Sequence, residues 1–232
     1  MPKMNLISGA QPLNAWVFDL DNTLYPAACD LFSLVSRRMT VFIADKFDIS
    51  LDDARARQKN YFHRHGTTLR GLMIEHGMPP GEFLAFVHDI DFTRVAPSPL
   101  MAAALSRLPG RKYVFTNASR GYSERVLARL GIEAHIDGIF DIEMAGFEPK
   151  PEPATYRRMV EHFAIDPRRA LMVEDIARNL KPAADMGMKT AWVPTGTSWS
   201  KVGAEDMQFD FVVEDLPRWL DDLAAKAEGA SK

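Results

Sequence analysis

A chain of 232 residues, 47% hydrophobic and 25% charged, can bury a full core plus a sizeable insertion, and its composition is that of a globular protein. A net charge of -3 argues against a nucleic-acid polymer as partner, since such binders are usually basic. The lone Cys29 excludes an internal disulfide, and the chain has neither an apolar signal region nor a window of about 18 apolar residues, so a cytoplasmic protein without a membrane span is expected.

Residues 1 to 14 read as a flexible leader containing Gly9 and Pro12. The apolar run Ala15 to Phe18 then predicts a short buried strand, and it leads directly into Asp19 and Asp21. Side chains at i and i+2 of an extended chain point the same way, with attachment points about 6–7 Å apart. That gap accommodates one phosphoryl group or one metal ion. Two carboxylates side by side at a buried strand end also repel, which calls for a cation.

From Leu31 to Asp89 the texture is helical throughout. Leu31, Leu34, Val35, Met39, Phe42, Ile43 and Phe47 recur at helical spacing. Ser50 predicts an N-cap, with Asp52 and Asp53 in the first turn of a helix running towards His63. Gly66, Gly77 and the Pro79-Pro80-Gly81 cluster delimit two more helices. Pro97 and Pro99 close the block. This predicts an inserted all-helical cap over residues 26–94, with the core formed by 15–25 and 95–232.

Beyond it, strands at Lys112 to Thr116, Gly138 to Ile142, Ala170 to Glu174, Thr190 to Val193 and Phe211 to Val213 alternate with helices. Such alternation implies parallel pairing and a doubly wound α/β sheet. The tail from Ala224 to Lys232 is expected to fray.

Three of these strand ends carry polar groups besides the first. Thr116 and Asn117 precede a helix starting near Arg120, and a helix N-terminus cradles anions. Lys150, between Pro149 and Pro151, is held on a stiff extended segment. Glu174 and Asp175 close another buried strand, and with Asp19 and the carbonyl of Asp21 they would supply oxygens for an octahedral Mg²⁺ site.

FDLDNTLYP resembles the first motif of the haloacid dehalogenase (HAD) superfamily, Asp-x-Asp-x-Thr. The resemblance implies a Rossmann-like core in which Asp19 is the nucleophile and Asp21 a general acid/base. Dehalogenases of the group lack the second Asp, so Asp21 implies a phosphatase or phosphomutase. Thr116 and Asn117 resemble the second motif and would bind the phosphoryl oxygens and line the pocket. Lys150 resembles the Lys-Pro motif and would neutralise charge on the nucleophile. Glu174-Asp175 with Asn179 resembles the metal motif, although many relatives have Asp-Asp or Gly-Asp there. In the cap, Phe62 to Leu72 resembles the signature of the pyrimidine 5′-nucleotidase-like branch, with His65 where Tyr is common. Tyr25, His65, Thr67, Thr68 and Arg70 are thereby expected to meet the leaving group of a nucleoside 5′-monophosphate, UMP or CMP before a purine. A small phosphomonoester is the expected partner, and the sequence carries no indication of oligomeric state. The alternatives are a phosphatase of a sugar phosphate or phosphoglycolate, a phosphomutase, and a non-catalytic phosphate-binding scaffold.

Overall fold

The computed structural model describes residues 12–230. Its centre is β1 (Ala15–Phe18), joined among the described residues by β2 (Arg111–Phe115), β3 (Gly138–Phe140), β4 (Ala170–Glu174), β5 (Lys189–Trp192) and β6 (Phe211–Val212). All pairings are parallel and the order is β3-β2-β1-β4-β5-β6. The chain steps outward from β1 through β2 and β3, then crosses to the other side of β1 for β4, β5 and β6. Phe18 is level with Val114 on one side and Val173 on the other, so three strands end on one rim. Such a reversal of strand order is where open α/β sheets bind ligands. Trp16, Val17, Phe18, Leu171, Met172 and Val173 are fully buried, as a parallel sheet covered on both faces requires.

Between β1 and β2 the chain forms α1 (Leu31–Phe47), α2 (Leu51–His65), α3 (Thr68–His76), α4 (Pro80–Val87) and α5 (Pro99–Arg107). The predicted cap of Ser50 on α2 is present, with Ser50 Oγ accepting from the Asp53 N–H at 3.1 Å. Thr67 caps α3 in the same way, its Oγ1 accepting from the Arg70 N–H at 3.2 Å. Gly71 lets α2 and α3 meet, because a Cβ there would lie 2.6 Å from the Tyr61 ring. The helix α5 departs from the sequence expectation, which took Pro97 and Pro99 as the end of a block. Pro99 instead occupies the first turn of α5, where its missing N–H costs nothing and its fixed φ favours a helix.

The remaining helices are α6 (Arg120–Leu130), α7 (Pro153–Phe163), α8 (Ala177–Asp185) and α9 (Leu216–Ala230). The predicted leader falls mostly on residues 1–11, outside the described residues. Leu13 is buried, and Asn14 donates its N–H to the Arg169 carbonyl at 2.8 Å. Of the tail expected to fray, all but residues 231 and 232 belongs to α9.

Candidate active site

Each strand of the central trio delivers polar side chains to the shared rim. Asp19 follows β1, Thr116 follows β2, and Glu174 and Asp175 stand at the end of β4. Lys150 arrives from the loop after β3 and lies between them. Its Nζ donates to Asp19 Oδ1 at 2.6 Å, to Glu174 Oε2 at 2.7 Å and to the Phe115 carbonyl at 2.9 Å. All three protons of the ammonium are used, and the side chain is 1% exposed. Asn117 aims it by gripping the lysine's backbone. Its Oδ1 accepts from the Lys150 N–H at 2.8 Å and its Nδ2 donates to the Lys150 carbonyl at 3.4 Å. Thr116 is buried, and its Oγ1 accepts from the Ala118 N–H at 3.0 Å, leaving the hydroxyl proton available to donate.

One ammonium faces three buried carboxylates, and the imbalance governs the electrostatics. Burial, with the charge of Glu174, holds Asp19 well above the usual carboxylate range against the pull of Lys150. Asp175 is pushed up by burial, Glu174 and Asp19 together. Burial works against the charge of Lys150, but Asp19 and Glu174 outweigh it and raise its pKa.

Asp19, Glu174 and Asp175 have oxygens within 4.8 Å of one another. Glu174 already has partners for both of its oxygens, since Oε1 accepts from the Ile176 N–H at 3.2 Å while Oε2 takes Lys150. Asp19 Oδ2 and Asp175 Oδ2 are buried with no hydrogen-bond partner. Orphaned carboxylate oxygens in a site with surplus negative charge are what a hard divalent cation such as Mg²⁺ requires, and the donor set fits one.

Asp21 stands apart from this cluster. Its Oδ1 accepts from the Tyr25 hydroxyl at 2.5 Å and from the Tyr122 hydroxyl at 2.7 Å. Burial raises the Asp21 pKa, and these two hydrogen bonds oppose the rise. Tyr25, expected to meet a leaving group, is 1% exposed with its hydroxyl on Asp21. Tyr122 was not anticipated, because a partner 101 residues away leaves no local signal.

The cap residues singled out in the sequence have partners of their own. His65 Nε2 lies 2.6 Å from Glu75 Oε1, which also takes Arg64 at 2.9 Å. Thr67 caps α3, and Thr68 is buried. Arg70 reaches the core, donating to Glu152 Oε1 at 2.8 Å, two residues beyond Lys150. These residues fold the cap and seat it beside the lysine loop.

Open space lies elsewhere on the cap. A cavity of about 730 Å³ is lined by Asn22 and Ala27 from the loop after β1, by α1, by the first turns of α2, and by Thr197 and Trp199. Phe32 and Trp199 both line it and contact each other, with ring centroids 6.4 Å apart and planes tilted by 37°, and Ser33, Ser36, Arg37 and Arg55 add polar groups.

A parallel sheet with its acids at the switch point, a buried lysine between them and a helical insertion above defines a hydrolase of the HAD type. The model of the haloacid dehalogenase-like hydrolases matches residues 13–187, and the chain belongs to that family. The glyceraldehyde 3-phosphate phosphatase of Pyrococcus furiosus is 23% identical over 222 residues, covering 89% of this chain and 91% of that one. An enolase-phosphatase E1 from Frankia alni is 44% identical over 57 residues, and the match covers 23% of its length. A HAD phosphatase from Thermococcus onnurineus has the same fold, with a TM-score of 0.60 at 17% identity, covering 91% of this chain and 98% of the other.

Proposed function

We propose that the protein is a phosphomonoester hydrolase working through an aspartyl-phosphate at Asp19. The observation that carries this reading is the separation of two carboxylates two residues apart. Asp19 is bonded to Lys150, whereas Asp21 is bonded to two tyrosines. Paired acids in different surroundings suit different roles, one a nucleophile and the other a proton donor. An oxygen of Asp19 attacks phosphorus, forming a P–O bond as the ester P–O bond breaks. Asp21, whose pKa burial raises, gives its proton to the departing alkoxide and afterwards takes one from the attacking water. The Thr116 hydroxyl binds a phosphoryl oxygen, and the Lys150 ammonium, bonded to Asp19, offsets the charge that phosphoryl transfer concentrates on the phosphoryl oxygens.

The free oxygens of Asp19 and Asp175, with the carbonyl of Asp21, would hold Mg²⁺; Glu174 serves as counter-ion to Lys150. When bound, the metal neutralises charge on the nucleophile and the phosphoryl group. The cap excludes water and selects the leaving group.

For the substrate we favour a pyrimidine nucleoside 5′-monophosphate. The resemblance of Phe62 to Leu72 to the nucleotidase branch supports this, as does a cavity offering the Phe32 and Trp199 rings for a base and arginines for its carbonyl edge. The name of the Pyrococcus relative favours a second reading, a triose phosphate. The test is phosphate release from UMP, CMP, AMP, GMP and several sugar phosphates, with Mg²⁺ and with excess chelator. UMP or CMP should lead, and chelation should silence every substrate. A sugar phosphate ahead by more than about tenfold, or about 1.4 kcal/mol, would remove the nucleotidase reading but keep the phosphatase. Full activity in chelator would remove the metal.

A further inference from the structure

The Asp21 carboxylate is held asymmetrically. A tyrosine hydroxyl has one proton to give, and both Tyr25 and Tyr122 give theirs to the same oxygen, Oδ1, at 2.5 and 2.7 Å. The two hydroxyls are 3.4 Å from each other, so they flank that oxygen as a pair. Both rings are 1% exposed and locked by packing. An oxygen already accepting two O–H donors has no room for a proton of its own, so a protonated Asp21 must carry it on Oδ2. No partner occupies Oδ2 among the described residues.

Tyr122 has its own support. The His88 ring stacks on it, with centroids 4.5 Å apart and planes 28° from parallel. His88 is the residue closing α4, and it is pinned to α6 from two sides. Its Nδ1 lies 2.8 Å from Ser119 Oγ, and Arg125 donates to its carbonyl at 2.8 Å. The end of the cap therefore packs on the ring whose hydroxyl fixes the acid.

We propose that Tyr25 and Tyr122 are positioning residues for proton delivery, clamping Oδ1 of Asp21 so that Oδ2 presents the proton to the leaving group, with His88 bracing Tyr122 from the cap. The inference rests on Asp21 acting as the general acid. A group that only orients the donor matters most when the departing oxygen is basic and needs its proton.

The experiment compares kcat/KM for phenyl phosphate, whose leaving group has a pKa of about 10 like that of tyrosine, with kcat/KM for p-nitrophenyl phosphate, whose leaving group needs little protonation. The two esters are nearly equal in size, so the cap treats them alike. In the double variant Tyr25→Phe/Tyr122→Phe the phenyl to p-nitrophenyl ratio should fall about tenfold, a small part of the 10²–10⁴ typical of acid–base catalysis. His88→Ala should lower the ratio less, and His88→Phe, which keeps a ring against Tyr122, should restore it. Each single Tyr→Phe variant removes only a hydroxyl and reports the same ratio if the double variant does not fold. Asp21→Asn, measured beside them, separates the two levels of the argument. If Asp21→Asn lowers the ratio and the tyrosine variants do not, the clamp is overturned while the acid stands. If Asp21→Asn loses both esters equally, the acid assignment falls and the clamp with it. An unchanged ratio in His88→Ala overturns the bracing role alone.

Discussion

The rim of the sheet and the first turns of α3 were equally conspicuous in the sequence, yet the structure uses them differently. At the rim, Asp19, Lys150, Glu174 and Asp175 sit together with more negative charge than one ammonium can balance, and two carboxylate oxygens have no partner. In the stretch His65 to Arg70, His65, Thr67 and Arg70 have partners in Glu75, the α3 N-terminus and Glu152, and Thr68 is buried. Unmet hydrogen-bonding capacity inside a protein marks a place prepared for something else. Saturated groups mark architecture. The cap signature accordingly reads as a recipe for a tight α2–α3 hairpin docked on the Lys150 loop, while the cavity proposed for the substrate's base lies on the α1 side.

The contrast can be broken by substitution, and the largest effect belongs at the rim. Lys150→Met should destabilise the metal-free protein by about 3–5 kcal/mol, the cost of leaving buried carboxylates without their partner, and should abolish turnover. Denaturant melts in chelator measure the first and a phosphatase assay the second. A loss below about 1 kcal/mol would mean that the carboxylates do not depend on the lysine.

Next comes His88, where the cap ends. Burial, helped by Arg125, lowers its pKa from 6.5 to about 4, so the folded protein holds the ring neutral. The unfolded chain binds a proton that the folded one refuses between those values. Stability present above pH 6.5 is therefore lost as the pH falls towards 4, by about 3 kcal/mol for a shift of this size. Subtracting the stability curve of His88→Gln from that of the wild type isolates this contribution from the carboxylates. A difference flat across that window would contradict a neutral, buried ring.

Within the cap, Gly71→Ala should cost about 1–3 kcal/mol, because its Cβ would lie 2.6 Å from the Cβ, Cγ and Cδ1 atoms of Tyr61, which cannot swing away. Thermal melts check it, and an unaltered Tm would show that α2 and α3 can separate freely. Smallest of all, Arg70→Ala removes a partly exposed ion pair to Glu152 and should change stability by less than about 1 kcal/mol. Its kcat/KM for p-nitrophenyl phosphate should fall only a few-fold. A loss near that of Lys150→Met would put Arg70 among the residues that touch substrate.

The core was legible because its chemistry is local. Ala170–Glu174 is a buried strand where its apolar run predicts one, and Asp19 and Asp21 follow β1 directly. The cap helices were legible through spacing and caps such as Ser50. The missing α5 came from reading Pro99 as a terminator, although proline at a first helical turn starts one as readily. Tyr122 and His88 were out of reach for a different reason. Their meaning lies in contacts with Asp21 and with α6, and no periodicity records a pairing across a whole cap. Tyr25 was visible but read as a residue meeting the leaving group, since the sequence gives no sign that its hydroxyl turns inward to Asp21.

The account's central claim is that Asp19 takes the phosphoryl group, and the direct measurement is a chemical quench. Asp21→Asn should still be phosphorylated by p-nitrophenyl phosphate, which needs little acid, but should release phosphate slowly because water lacks its base. Acid quenching followed by peptide mass analysis should find one phosphoryl group on the peptide containing Asp19. The corresponding Asp19→Asn protein should carry none and turn over no ester. Phosphorylation at another residue, or turnover by Asp19→Asn above about a tenth of wild type, a barrier change of only about 1.4 kcal/mol, would contradict it.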